Sequence, residues 1–216
     1  MSMVEYYTIL KYLLMIPLFP VDEVCPIFPN VCLDTFRKHA IHCKELPGFK
    51  YRHNLVRDIL FDIFRRVGVS VKKEVHVNFL TKPREGKSAL RPADVLVNEW
   101  IGEKHACVGL TGASSLVGFR SVGFFVGQTA LKAALSKVVK REKMYFDNQH
   151  AFMPFAFDTF GFLAPETMDL LQRVQRLVHN NVVSPRTMNV VFKRIDFAIQ
   201  KGVATQLVAF LPIIYG

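Results

Sequence analysis

The chain has 216 residues, half of them hydrophobic and about a fifth charged, with a formal net charge of +10 and a pI near 9.6. That length buries a full core, and the composition excludes a disordered tail. The charge favours polyanionic partners, nucleic acid or an anionic membrane surface.

Four cysteines without a secreted-type framework point to a reducing, intracellular setting, nuclear or cytoplasmic. Residues 4–16 predict a helix that buries one face. The apolar run Tyr6 to Phe19 carries Lys11, is cut by Pro17, and is too short for a bilayer, which needs about 20 residues. It also lacks the basic lead and small cleavage residues of a signal peptide, so no transmembrane segment and no secretion are expected. Pro17, Pro20, Pro26 and Pro29 make 17–32 a loop. Leu33 to Cys43 predicts a short helix, with Asp34 suiting the dipole at its start. Glu45-Leu46-Pro47-Gly48 then interrupts.

From Tyr51 to Val67, Leu55, Val56, Ile59, Leu60, Ile63 and Val67 recur at helical spacing, and Gly68 ends the helix. Val69, Val71, Val75 and Val77 keep a strand rhythm, followed by a polar loop at 81–88. Two strands at about 93–98 and 105–111 predict an antiparallel hairpin. A Gly- and Ser-rich loop leads to a helix over 129–146, with Leu131, Ala134, Leu135, Val138 and Val139 inside and its basic residues mostly outside. Phe152 to Phe157 predicts a strand, which Pro154 would suit to a sheet edge. Helices are expected at 165–178 and 187–211. From 51 to 157 the order is helix, strand, strand, strand, helix, strand.

Five stretches stand out: Cys25-Pro26 through His39 and Cys43; Arg52-His53-Asn54; Arg91-Pro92-Ala93-Asp94; Val108-Gly109-Leu110-Thr111; and Lys140 to Tyr145. In these the chain resembles the C-terminal part of plant reverse-transcriptase-like proteins from non-LTR retroelements (retrotransposons). There a zinc-knuckle remnant precedes a restriction-like endonuclease domain. The resemblance spans most of residues 20–160, and no YxDD-like polymerase motif is present. It implies an α/β fold with a restriction-endonuclease-like αβββαβ core, a mixed sheet flanked by helices. That core would span 49–162, after an N-terminal helix and degenerate knuckle over 1–48 and before a C-terminal helical extension over 163–216.

The resemblance also assigns roles. Asp94 would be the Mg²⁺ ligand of a phosphodiesterase, with a second acid on the next strand and a basic residue two positions on. Here those positions read Gly109 and Thr111. Lys140 and Lys143, with Tyr145, resemble a helical Lys-x-x-Lys-x-Tyr motif that would aid the attacking water or the phosphate. Mg²⁺ usually takes more than one protein carboxylate, so the loss at Gly109 predicts weak or lost catalysis. Glu74 and Asp58 are candidate substitutes that spacing does not single out. Without the resemblance, Asp94 reads as a strand-entry residue after Pro92.

The knuckle implies Zn²⁺. Phe28 stands where a second cysteine would follow Cys25, His39 and Cys43 lie on one helix face, and Cys32 or His42 would have to supply the missing ligand. The alternative is that Cys25 and Cys43 are ordinary thiols and Phe28 packs into the core. Arg52 and His53, read as opening a helix, would meet phosphate through its free N–H groups, or simply cap it. Lys132, Lys137, Lys140, Arg141 and Lys143, with Lys72, Lys73, Lys82, Arg84 and Lys87, form either a phosphate-tracking groove or a solvated face. The phenylalanines from Phe152 to Phe162 read as core.

Two functions remain. One is a degenerate endonuclease domain that keeps some affinity for nucleic acid, DNA foremost, with no small-molecule substrate. The other is a non-catalytic nucleic-acid-binding or protein-interaction module with a partial zinc site. Membrane association through residues 4–19 ranks behind both.

Overall fold

A computed structural model describes residues 1–19, 24–25, 27–28, 30–31, 38–43, 45, 47–75, 93–102, 104–114, 127–146, 150–181 and 189–211. Six helices and four strands are described: α1 Met3–Leu13, α2 Lys38–His42, α3 Pro47–Arg66, β1 Val71–Val75, β2 Ala93–Ile101, β3 Lys104–Ala113, α4 Gln128–Phe146, β4 Ala151–Asp158, α5 Pro165–Asn181 and α6 Val190–Val208. The strands form one sheet in the order β1-β2-β3-β4. The first three pair antiparallel and β4 lies parallel to β3, reached through α4. The protein is therefore α/β, a mixed four-stranded sheet flanked by helices. Pro154 sits on an edge strand, where its missing N–H removes no ladder bond on the open side.

The principal core joins α3 (Val56, Leu60, Phe64), one sheet face (Val95, Val97, Val108, Phe155) and the C-terminal helices (Leu171, Val174, Val191, Ile195). Residues 163–216 were expected as an extension, yet α5 and α6 close this core. Periodicity shows that a helix has a buried face, not what the face packs on. At Gly48 a Cβ would stand 2.7 Å from the Gln206 Cα, so the absence of a side chain lets α3 and α6 cross closely. A second core gathers Ile9 and Tyr12 of α1, Ala40 and Ile41 of α2, Cys25, Cys43, and Val203, Leu207 and Phe210 at the end of α6. Helix α1 opens on a capping box between Ser2 and Glu5. Its Glu5 accepts a hydrogen bond from Thr205 at 2.8 Å, and Tyr12 donates to Thr159 at 2.6 Å.

Two predicted helices differ. α3 starts at Pro47, not Tyr51, because proline suits a first helical turn whose N–H would be unpaired anyway. Arg52-His53-Asn54 therefore lies beyond the first turn and does not offer helix-terminal N–H groups. α4 is rotated against expectation: Leu131, Leu135 and Val139 face out, Val139 at 84% exposure. Ala134 is buried as expected, but its companions are Ala130 and Tyr145, with Lys137 and Arg141 half-buried between them. Cys32, Arg91, Pro92, Lys82, Arg84, Lys87 and residues 115–126 lie outside the described residues, as does the side chain of Lys143.

Candidate functional site

The β2–β3 ladder pairs Val95 with Val108 and Leu96 with Cys107, so the next step sets Asp94 opposite Gly109. Side chains alternate along a strand, which puts Asp94 on the Leu96 face, towards α4 and away from the principal core. The carboxylate is well supplied with donors. Oδ2 accepts the Leu110 N–H at 2.6 Å, and Oδ1 lies 3.4 Å from His53 Nε2 on α3. From the other side Lys137 Nζ donates to the Leu110 carbonyl, so both polar groups of one residue are engaged around the acid.

Burial alone would raise the Asp94 pKa. The His53 contact, the Leu110 amide and the Lys137 charge together outweigh it and hold the carboxyl below its ordinary value. Lys137 moves the opposite way. Burial, with Arg141 adding to it, brings the ammonium down to about 8 although Asp94 raises it. Burial also pushes the Cys107 thiol and the Tyr145 hydroxyl up to about 12, so both are neutral neighbours.

The place of a second acid is filled. A Cβ built on Gly109 would stand 2.9 Å from Phe152 Cε2 and 3.5 Å from Arg141 Nη1. Phe152 stacks on Tyr145 with ring centroids 5.1 Å apart, which holds the ring there. The two candidate substitutes are occupied elsewhere: Asp58 pairs with Arg57 and Lys73, and Glu74 pairs with Arg57. By register Glu74 would face Asp94, but its backbone turns left-handed at φ 49°. One carboxylate with both oxygens engaged does not fit a Mg²⁺ site, and no metal-dependent step follows from it.

Other sequence candidates fall in different places. Thr111 is half-buried on the Gly109 side of β3, and Lys140 is exposed on α4. The helical lysine at Asp94 is Lys137, which spacing had placed with the backbone-contacting groups. Its signal was legible: Lys137, Arg141 and Tyr145 recur every four residues and share one helix face. Arg52 is 4% exposed, its guanidinium lies 5.5 Å from the centroid of the Phe49 ring, and Nη1 has no hydrogen-bond partner. Burial lowers its pKa to about 10.

In the second core, one ligand atom from each of Cys25, His39 and Cys43 lies within 4.8 Å of the others. Two thiols and an imidazole are the donor set of zinc, whose ligand atoms stand about 3.5–3.8 Å apart in a tetrahedron. The three residues fit such an ion. An open groove of about 530 Å³ along α5 and α6, edged by Gln172, Arg176 and Phe192, contains none of these groups. No helix among the described residues is long and apolar enough to cross a membrane. The sequence matches no family model and no curated protein.

Proposed function

We propose that this chain is a degenerate endonuclease-like domain of retroelement origin, with a restriction-endonuclease-like core, which holds nucleic acid without cutting it. The observation that carries the reading is Asp94 set opposite Gly109, with Lys137 and His53 converging on the carboxylate. The element order α3-β1-β2-β3-α4-β4, with an antiparallel meander and a parallel last strand, supports the same ancestry.

Hydrolysis of a phosphodiester calls for metal charge at the phosphate and an activated water. One carboxylate already engaged by the Leu110 amide and His53 supplies neither. What the site retains is positive charge aimed at a phosphate, continued by the exposed Lys132 and Lys140 on the same helix. Such contacts bind without reading sequence, and DNA is the expected partner. Fluorescence anisotropy of a labelled DNA duplex across salt concentrations tests this. Binding whose log affinity falls linearly with log salt supports it, and no binding at low salt refutes it.

A second reading rests on Cys25, His39 and Cys43. A zinc ion there, with Cys32 as a candidate fourth ligand, would pin the N-terminal segment to α6 and make this half an interaction module. Zinc content of the purified protein, measured by atomic emission, tests it. About one ion per chain supports the module, and none rejects it.

A further inference from the structure

The Asp94 site carries an excess of the wrong charge for a metal and the right charge for an anion. Beside Asp94 lie His53 from α3 and Lys137 from α4, with Arg141 next to Lys137 and the neutral Cys107 and Tyr145 on the same sheet face. Lys137 and Arg141 thus bring two cations to the sheet face that holds this one carboxylate. The two acids considered as substitutes, Asp58 and Glu74, are paired away with Arg57 and Lys73.

Arg141 is the telling residue. Its Nη1 lies 3.5 Å from where a side chain at Gly109 would begin, so a guanidinium occupies the ground of the lost acid. Among the described residues it makes no hydrogen bond or ion pair, whereas Lys137 commits one of its three donors to the Leu110 carbonyl. A half-buried guanidinium with donors to spare is suited to a tetrahedral oxyanion, which it grips through two parallel N–H bonds. α4 brings this charge inward at the cost of exposing Leu131, Leu135 and Val139. A helix that turns cations in and leucines out breaks its own pattern, and such breaks mark functional sites.

We propose that Arg141, assisted by Lys137, binds a nucleic-acid phosphate directly and without a divalent metal. The guanidinium thus takes over the charge a metal would have supplied. This rests on the nucleic-acid-binding reading and names the group and the ion requirement within it.

The test is duplex anisotropy in chelator and in Mg²⁺ at matched ionic strength, for the intact chain and for Arg141→Ala, Arg141→Lys and Lys137→Met. The expected affinities are equal in the two buffers. Arg141→Ala should lose about tenfold and flatten the salt slope by about one, with Arg141→Lys regaining part of the loss. Thermal melts confirm that each variant folds. Affinity that depends on Mg²⁺, or an Arg141→Ala that binds as tightly as wild type, overturns the inference while leaving DNA binding itself intact. If the intact chain binds no duplex, the broader reading fails instead. Chemical shifts in a titration with inorganic phosphate then judge the site alone: perturbation confined to Arg141 and Lys137 upholds it, and none there ends it.

Discussion

The Leu110 N–H donates to Asp94 Oδ2 at 2.6 Å while the Leu110 carbonyl receives the Lys137 ammonium, so one residue of β3 links the acid of β2 to the base of α4. Asp94→Asn keeps an acceptor for the amide and removes the charge. The contact with His53 and the Coulombic attraction of Lys137 are then lost, which at a half-buried carboxylate costs about 1–3 kcal/mol. The site gains positive charge, so a DNA duplex should bind several-fold tighter although the fold is weaker. Urea unfolding and anisotropy on the same variant give both signs. Weaker DNA binding would mean that Asp94 contributes to the ligand directly.

Lys137 sets a pH window. Below about 8 its ammonium is charged in the folded and the unfolded chain, and the full cost of burying it is present. Between about 8 and its ordinary 10.5 the folded chain has released the proton while the unfolded chain retains it, so stability rises with pH. Relative to Lys137→Met, the wild type should gain up to roughly 3 kcal/mol across that interval in denaturant titrations. A flat difference would show that the ammonium is not desolvated.

Arg52 is a buried cation with an unsatisfied Nη1, wedged where a Cβ on Gly202 would come 2.7 Å from its Cγ. Replacing such a charge by an apolar chain of similar length removes a desolvation cost. Arg52→Met should raise stability by about 1–3 kcal/mol, read from the urea midpoint. A drop of that size would reveal an anion or a polar partner on the guanidinium.

Zinc at Cys25, His39 and Cys43 would stabilise the second core by mass action, about 2.7 kcal/mol when free ion exceeds its dissociation constant a hundredfold. Chelation should therefore lower the melting temperature of the wild type by several degrees. Cys43→Ser should melt at the chelated value with and without zinc. A melt indifferent to both treatments leaves the two thiols as packing groups.

The hairpin that carries Asp94 was legible because strand alternation and a short polar break survive without tertiary context. The rotation of α4 was not. Leu131, Leu135 and Val139 make as regular a stripe as Ala130, Ala134, Lys137 and Arg141, and hydrophobicity selects the first. What selects the second is the carboxylate and the vacant Cβ position across the sheet, which no local window contains. The start of α3 was missed for a related reason, since Pro47-Gly48 reads as a break unless Gln206 of α6 is known to need the room.

We propose that Gly109 stands for a lost acid beside Asp94, and nicking of supercoiled plasmid in Mn²⁺ decides the point. Gly109→Asp alone should be destabilised by about 1–3 kcal/mol, since its Cβ would meet the Phe152 ring at 2.9 Å. Gly109→Asp with Phe152→Leu has the room, and should fold and nick where the wild type leaves the plasmid intact. Mn²⁺-dependent nicking by the wild type, or a folded double variant that neither binds Mn²⁺ nor cuts, would rule out a lost acid at Gly109.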